Sequence, residues 1–411
     1  MMNQNMGDEI KKYDLMLKGG HVIDPSQGIN QVMDLGIKAG RIADLRVGLD
    51  STESVEVKDI SGKFVCPGLV DLHGHWYEGS IYGIDPQIGL NQGVTTVVDA
   101  GTTGYVNFPE FRRQTIDRAQ VRMLAYLHIS CLGLHTPFAE ELRDLRYARP
   151  RETAVVIEKN RDVAVGIKIR LGSMTGEHSL EALELALEAA EEVSLPLMVH
   201  ISKGVKLLET LKRLRPGDII THCFQGRGDG IIQPETGLLF PQIIEARKEG
   251  VIFDVGHGCG SFSWETTRKA FEYSFYPDTI STDLHRYCVE DPFHVSLLGT
   301  MSKFLLLGMT LEEAILKATF NPAKVLGKEN ELGTLRKGAT ADVLIFDIEL
   351  GEFSFIDTHF RVLKGERRLR ALLVIRNGIV LEPSSEPIRL RELYESDHDV
   401  FRSLLPTDPG L

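Results

Sequence analysis

Cysteine is scarce in this chain of 411 residues: there are five, at positions 66, 131, 223, 259 and 288. The count is odd and no pair is spaced C-x-x-C, which excludes a disulfide framework and fits a reducing cytoplasm. Cys223 and Cys259 read as small packing residues. Basic charge is also short, since 46 Lys and Arg against 58 Asp and Glu leave a net charge of -12. Such a chain repels a phosphate backbone. The short cluster Lys364, Arg367, Arg368 and Arg370 is too small to reverse this, so nucleic acid is excluded as a partner. No apolar stretch approaches the ~20 residues needed to cross a bilayer. The N-terminus MMNQNMGDEIKKYD has no apolar segment of the kind a secretory signal needs. The expectation is a soluble cytoplasmic protein with no membrane partner.

What is present suits a large folded core. The chain is 43% hydrophobic and 25% charged, an ordinary globular balance, and it is long enough for a barrel of ~250 residues with a smaller companion. Residues 13–65 read as short strands (YDLMLKGG, HVIDP, MDLGIKAGRIADL, VEVKDISGKFV) punctuated by Gly-Gly, Asp-Pro and Ala-Gly. The far end returns to this style in ADVLIFDIE and LRALLVIRNGIVLEP. A small β-sandwich domain built from both chain ends, 1–65 and 328–384, is therefore expected.

Between the ends, eight apolar runs are short and β-branched enough to be buried parallel strands. They are CPGLVDLHGH (66–75), VTTVVDAG (94–101), VRMLAYLHIS (121–130), VAVGIKIRL (163–171), PLMVHIS (196–202), DIITHCF (218–224), VIFDVGHG (251–258) and DTISTDLH (278–285). Helical patterns such as SLEALELALEAAEEV and GVKLLETLKRL separate them. Alternation of this kind predicts a (β/α)8 TIM barrel over 66–327. Residues 385–411, charged and carrying prolines, are set apart as a C-terminal extension, either a surface segment or an oligomer arm.

Polar residues with metal-binding chemistry fall at the C-terminal ends of these runs, where TIM-barrel active sites are built. His73 and His75 are two residues apart, so strand alternation sends both imidazoles to one side. An isolated H-x-H is weak evidence, because solvated or core histidines are the commoner explanation. Lys168 sits inside VAVGIKIRL, where a charged amine is costly unless altered or paired. A neutral lysine can add carbon dioxide and become an anionic, two-oxygen carbamate; the bland alternative is an edge-strand lysine that discourages aggregation. His200 and His222 end consecutive runs, and imidazole suits zinc and similar ions. Asp283 ends the last run, where its carboxylate could ligate a metal and move a proton, or simply cap a helix. Taken singly each reads as structural, but the order H-x-H, K, H, H, D at the ends of five strands does not.

With the supporting segments PGLVDLHGH, GVTTVVDAG, TFNPAKVLG and GTLRKGATADVLIFD, the chain resembles the amidohydrolase superfamily over about residues 13–384. It is most similar to the subgroup with a carbamylated lysine, which includes dihydroorotases, hydantoinases and N-acyl amino acid deacetylases, and there to an amidohydrolase/deacetylase-like branch. The resemblance implies two divalent metal ions, with zinc the expected metal and manganese or iron compatible with the ligands. It implies that His73, His75 and Asp283 hold the more buried ion, that His200 and His222 hold the other, and that carbamylated Lys168 joins them. It further implies attack by a metal-bridging hydroxide, with Asp283 as the catalytic proton carrier, and a homo-oligomer.

Substrate contacts are less marked. Many dihydroorotases follow H-x-H with an arginine; here Trp76 and Tyr77 follow, which disfavours dihydroorotate and makes Trp76 a candidate substrate contact. Arg170, in phase with Lys168, suits a carboxylate, with a surface salt bridge as the alternative. His257, flanked by glycines in VGHGCGS, is a candidate for orienting substrate or a loop-structural residue. Tyr77, Asp99 and His128, also at strand ends, are weaker candidates. The expected activity is hydrolysis of an amide or ester bond in a small acylated carboxylate, either an N-acyl amino acid or an acylated 2-hydroxy acid. A cyclic amidase of hydantoinase type is the alternative, and a non-catalytic scaffold relative is disfavoured by the complete ligand set.

Overall fold

A computed structural model describes residues 11–134, 141–173, 175–289 and 295–383. The C-terminal extension expected at 385–411 lies outside the described residues. Near the start of the chain come β1 (Tyr13–Asp24), β2 (Ile29–Lys38), β3 (Arg41–Arg46), β4 (Ser54–Asp59) and β5 (Phe64–Pro67). The middle supplies β6 (Leu69–Gly74), β7 (Val94–Gly104), β8 (Arg122–His128), β9 (Ala164–Arg170), β10 (Leu197–His200), β11 (Ile219–Thr221) and β12 (Ile252–Phe253). The far end adds β13 (Val343–Ile356), β14 (Val362–Arg376) and β15 (Ile379–Leu381).

The strands from the two ends hydrogen-bond as one sheet in the order β15-β14-β13-β5-β1-β2-β3, with β4 also paired to β1. The first half of β1 pairs with β4 and the second half with β5, on either side of the irregularity between Leu17 and Gly20. This sheet has its own apolar cluster, in which Leu15, Leu17 and Val22 from β1 meet Leu35, Ile37, Val343 and Ile345. Cys66 and Pro67 pair with β13 here, so the first barrel run begins at Leu69 rather than at Cys66. Gly68 makes the switch between sheets, where a Cβ would stand 2.2 Å from the Thr95 hydroxyl.

The middle strands form a parallel sheet in sequence order, β6 to β12. All of β7 and β9 is buried, as expected of strands covered on both faces. Val98, Ala100, Leu124, Tyr126, Met198 and Ile219 form a separate cluster that fills the ring, while Val97, Leu127, Ile167, Ile169 and Val199 belong to the large core beneath the helices. The helix Ser179–Glu192 shows how the covering layer is made. Its Ala182, Leu183, Ala186, Leu187 and Ala190 are buried at helical spacing.

The eighth run, 278–285, makes no continuous ladder but touches both edges of the sheet. Val255 and His257 donate backbone N–H groups to Thr279 and Ser281, and Asp283 donates to the His73 carbonyl at 2.6 Å. The His75 N–H in turn reaches the Leu284 carbonyl at 2.8 Å. This segment closes the ring of a TIM-barrel fold. Among the described residues no helix is long and apolar enough to cross a membrane.

Candidate metal centre

At the closing seam the side chains of His73, His75 and Asp283 converge. Nε2 of His73 and Nε2 of His75 each lie 3.2 Å from Oδ1 of Asp283, and one ligand atom from each residue falls within 4.8 Å of the others. The structure brings the other three expected ligands to the same place. Lys168 Nζ is 3.1 Å from His73 Nε2, and His200 Nδ1 is 2.8 Å from His222 Nε2. The His222 and His200 rings meet edge to face, 4.2 Å apart.

Two of these residues occupy left-handed backbone, His222 with φ 68° and Asp283 with φ 48°. Such conformations are strained for residues other than glycine and cluster at functional sites. The glycines of VGHGCGS make room for them. A Cβ on Gly256 would stand 2.8 Å from His222 Nδ1, and one on Gly258 would stand 2.4 Å from Asp283 Oδ2.

The electrostatics favour a cation. Burial pushes Lys168 down to about 7, with Arg170 adding to the effect, so its amine is readily neutral. Burial likewise holds His75 and His200 below the ordinary imidazole value and takes His222 to about 3; these are neutral rings with lone pairs to offer. Burial opposes charge on Asp283, yet the neighbouring imidazoles keep it well below the usual carboxylate range. His73 behaves differently. Burial and Lys168 act to lower it, but Asp283 and Asp254 outweigh them and raise it, so positive charge is favoured between His73 and Asp283. Neutral imidazoles, an anionic carboxylate and an amine able to become a carbamate make a donor set that fits divalent ions.

The centre opens into a cavity of about 300 Å³ whose walls include His75, Tyr82, Lys168, Arg170, His200, Cys259, Asp283, His285 and Tyr287. Arg170 is therefore beside the candidate metal ligands, as its phase with Lys168 predicts. One of its terminal nitrogens lies 3.2 Å from Glu141, and its buried Nε has no hydrogen-bond partner among the described residues. Cys259 does more than pack, since its thiol stands 3.8 Å from His285 Nε2 in the cavity wall. Cys223 is buried, as expected.

Two expected substrate contacts are elsewhere. Trp76 is fully buried; its indole N–H reaches the Val98 carbonyl and its backbone N–H the Asp99 carboxylate, so the ring completes the core and does not line the cavity. His257 is also buried, stacked on Phe262 at 4.7 Å. Its Nδ1 faces the Gly258 carbonyl at 2.8 Å and its Nε2 accepts from Lys303 at 2.7 Å. It braces the glycine loop from behind, out of reach of the cavity. Of the weaker candidates, Tyr77 packs on Phe111, while Asp99 and His128 are buried beneath the site.

Sequence reasoning missed Tyr82, His285, Tyr287, Glu141, Thr102, Thr221 and Asp254. Asp254 carries the same signal that exposed Lys168, a charge inside an apolar run. His285 is two residues beyond Asp283. Glu141 lies in a loop and carries no periodic signal at all.

The sequence model of the Amidohydrolase family matches residues 64–231 and 264–380. A curated deacetylase of Brucella anthropi is 34% identical over 88% of this chain and 90% of its own length. A solved structure described as an adenine deaminase superposes with a TM-score of 0.83 at 31% identity, covering 90% of this chain and 100% of that one. Another, described as a dihydroorotase, gives 0.82 at 29% identity over 90% and 99%.

Proposed function

The chain belongs to the amidohydrolase family, and on that footing we propose that it hydrolyses the amide or ester bond of a small acylated carboxylate at the cavity shared by His73, His75, Lys168, His200, His222, Asp283 and Arg170. The observation that carries this reading is the convergence of His73, His75 and Asp283 within 4.8 Å, with Arg170 lining the same cavity. The deacetylase relative supports attack on an acyl group.

His73, His75 and Asp283 would hold one divalent ion, and His200 and His222 would hold a second; zinc suits this mixture of imidazole and carboxylate. Lys168 would join the same donor set as a carbamate. Its neutral amine adds to the carbon of carbon dioxide, an N–C bond forms, and the nitrogen loses a proton to leave an anionic carbamate. When bound, such ions polarise the substrate carbonyl and lower the pKa of water toward neutrality. Asp283, held ionised, accepts the proton of the attacking water and passes it to the departing nitrogen or oxygen. Arg170 lines the cavity, and the guanidinium N–H groups it turns there are suited to a charge-assisted bond with a substrate carboxylate. Its position fixes which end of the substrate faces Asp283. Because Trp76 and His257 are withdrawn from the cavity, the opposite wall falls to Tyr82, His285 and Tyr287.

We read the chain ends as one small β domain, which takes in Cys66 and Pro67 as well as the expected 1–65 and 328–384, on a barrel domain that ends near 327, working in the cytoplasm as a homo-oligomer. The test of function is turnover by protein loaded with zinc, presented with N-acetyl amino acids, O-acetylated 2-hydroxy acids, hydantoins and dihydropyrimidines. Hydrolysis in the first two groups is expected. Ring opening in the last two without deacylation would replace this reading by a cyclic amidase, and silence from every substrate would remove it.

A further inference from the structure

Behind each histidine of the H-x-H pair lies the same three-part chain. Nδ1 of His73 is 2.8 Å from the Thr221 hydroxyl, which donates to Oδ2 of Asp254 at 2.8 Å. Nδ1 of His75 is 2.8 Å from the Thr102 hydroxyl, which donates to Oδ2 of Asp99 at 2.7 Å. The two threonines come from different strands, β11 and β7, and the two aspartates share no partner. All of Thr102, Thr221, Asp99 and Asp254 have 0% exposure.

The direction of each chain follows from counting protons. A carboxylate only accepts, and a hydroxyl has one hydrogen to give. Asp254 is fed by Thr221, Thr279 and Ser281, and Asp99 by Thr102 and the backbone N–H groups of Trp76 and Thr102. With its hydrogen spent on the carboxylate, each threonine oxygen faces its histidine with a lone pair. Nδ1 must then carry the hydrogen, and Nε2 is left to face Asp283. Two neutral Nε2 lone pairs, each 3.2 Å from the same carboxylate oxygen, are repelled by it unless positive charge sits among them.

We propose that Thr221 with Asp254, and Thr102 with Asp99, are paired positioning residues that lock His73 and His75 in the Nδ1–H tautomer and aim both Nε2 atoms at one cation. His222 obtains the same result from the backbone, through Nδ1 and the Gly256 carbonyl at 2.7 Å. The side-chain version has a different property: it can be removed one hydroxyl at a time. The inference rests on the reading that His73 and His75 ligate an ion.

Thr221→Val and Thr102→Val delete the hydroxyls at nearly constant volume, and Thr221→Ser and Thr102→Ser restore them. Zinc retained per chain is measured across a chelator series, and the unfolding temperature of each metal-free protein is measured beside it. Each valine variant is expected to lose zinc at ~10–100-fold weaker apparent affinity, each serine variant to hold it nearly as the parent does, and the metal-free proteins to unfold within a few degrees of one another. Valine variants that hold zinc like the parent would overturn the proposal. So would serine variants as weak as valine, or metal-free valine proteins destabilised enough to account for the loss. A parent that takes up no zinc at all would instead count against the metal-centre reading beneath it.

Discussion

The amine nitrogen of Lys168 lies 3.1 Å from Nε2 of His73, with both side chains almost wholly sealed from solvent. Two nitrogens that are basic in water cannot both keep a positive charge at this separation. Lys168 is the one that yields. Burial, reinforced by Arg170, takes it from 10.5 to about 7, which makes the amine a nucleophile at neutral pH.

Carbamate formation on Lys168 should therefore rise with pH across about 7, because the lowered pKa leaves the amine neutral above it and protonated below. Metal-free protein given ¹³C-bicarbonate and zinc at pH 6 and at pH 8, with free carbon dioxide held equal, should show the stronger carbamate carbon resonance at pH 8. An equal or stronger signal at pH 6 would contradict the assignment. Lys168→Ala should show no resonance and should lose zinc.

Arg170→Met should weaken the grip on a substrate carboxylate. Charge-assisted hydrogen bonds are worth roughly 1.5–3 kcal/mol, so kcat/KM should fall by about 10–150-fold, mostly through KM. The control is a substrate whose carboxylate is replaced by a carboxamide. The parent enzyme should discriminate strongly between the two, and the methionine variant should not.

Gly258→Ala should damage the centre without touching a ligand. The new Cβ would stand 2.4 Å from Asp283 Oδ2, at a backbone φ of 49° that alanine resists. Left-handed strain alone costs on the order of 1–3 kcal/mol, and the displaced carboxylate should release zinc. Gly260→Ala, where the nearest neighbour is 3.8 Å away, is the control. Thermal melts and zinc content of the two variants should diverge.

Lys303 predicts a pH dependence of stability. Burial takes its amine from 10.5 to about 7, so between those values the unfolded chain binds a proton that the folded chain does not. Stability then rises with pH through that window. Lys303→Met should lose this slope, and the difference in urea midpoint between parent and variant should grow more favourable to the parent from pH 7 to pH 10. A constant difference would mean that Lys303 keeps an ordinary pKa.

The barrel was legible because parallel strands buried on both faces must be apolar along their whole length, as β7 and β9 are. The convergence of the six candidate ligands was legible because each puts a polar group near the end of such a run. The eighth run was legible in composition but not in form: Asp283, at φ 48°, bends the segment away from a regular ladder. Trp76 and His257 were misread for one reason. Neighbouring a ligand in sequence says nothing about which side of the wall a side chain takes, and Trp76 turns into the core while His257 turns toward Lys303. Threonine at 102 and 221 is ordinary in a β-strand, so nothing in its identity reveals a hydrogen bond to a histidine. Glu141 reaches Arg170 from a loop, and loops carry no periodicity to read.

The seam between the first and last barrel segments has a mechanical consequence. His73 and Thr282 are 209 positions apart in the chain yet in contact, and an ion bound by His73, His75 and Asp283 would tie that long loop shut like a hoop's rivet. Closing so large a loop carries a high entropic cost in an unfolded chain. Occupancy of the centre thus bears on how firmly the barrel holds together as well as on its chemistry, and the seam is where slow amide exchange should first give way when the ion is stripped.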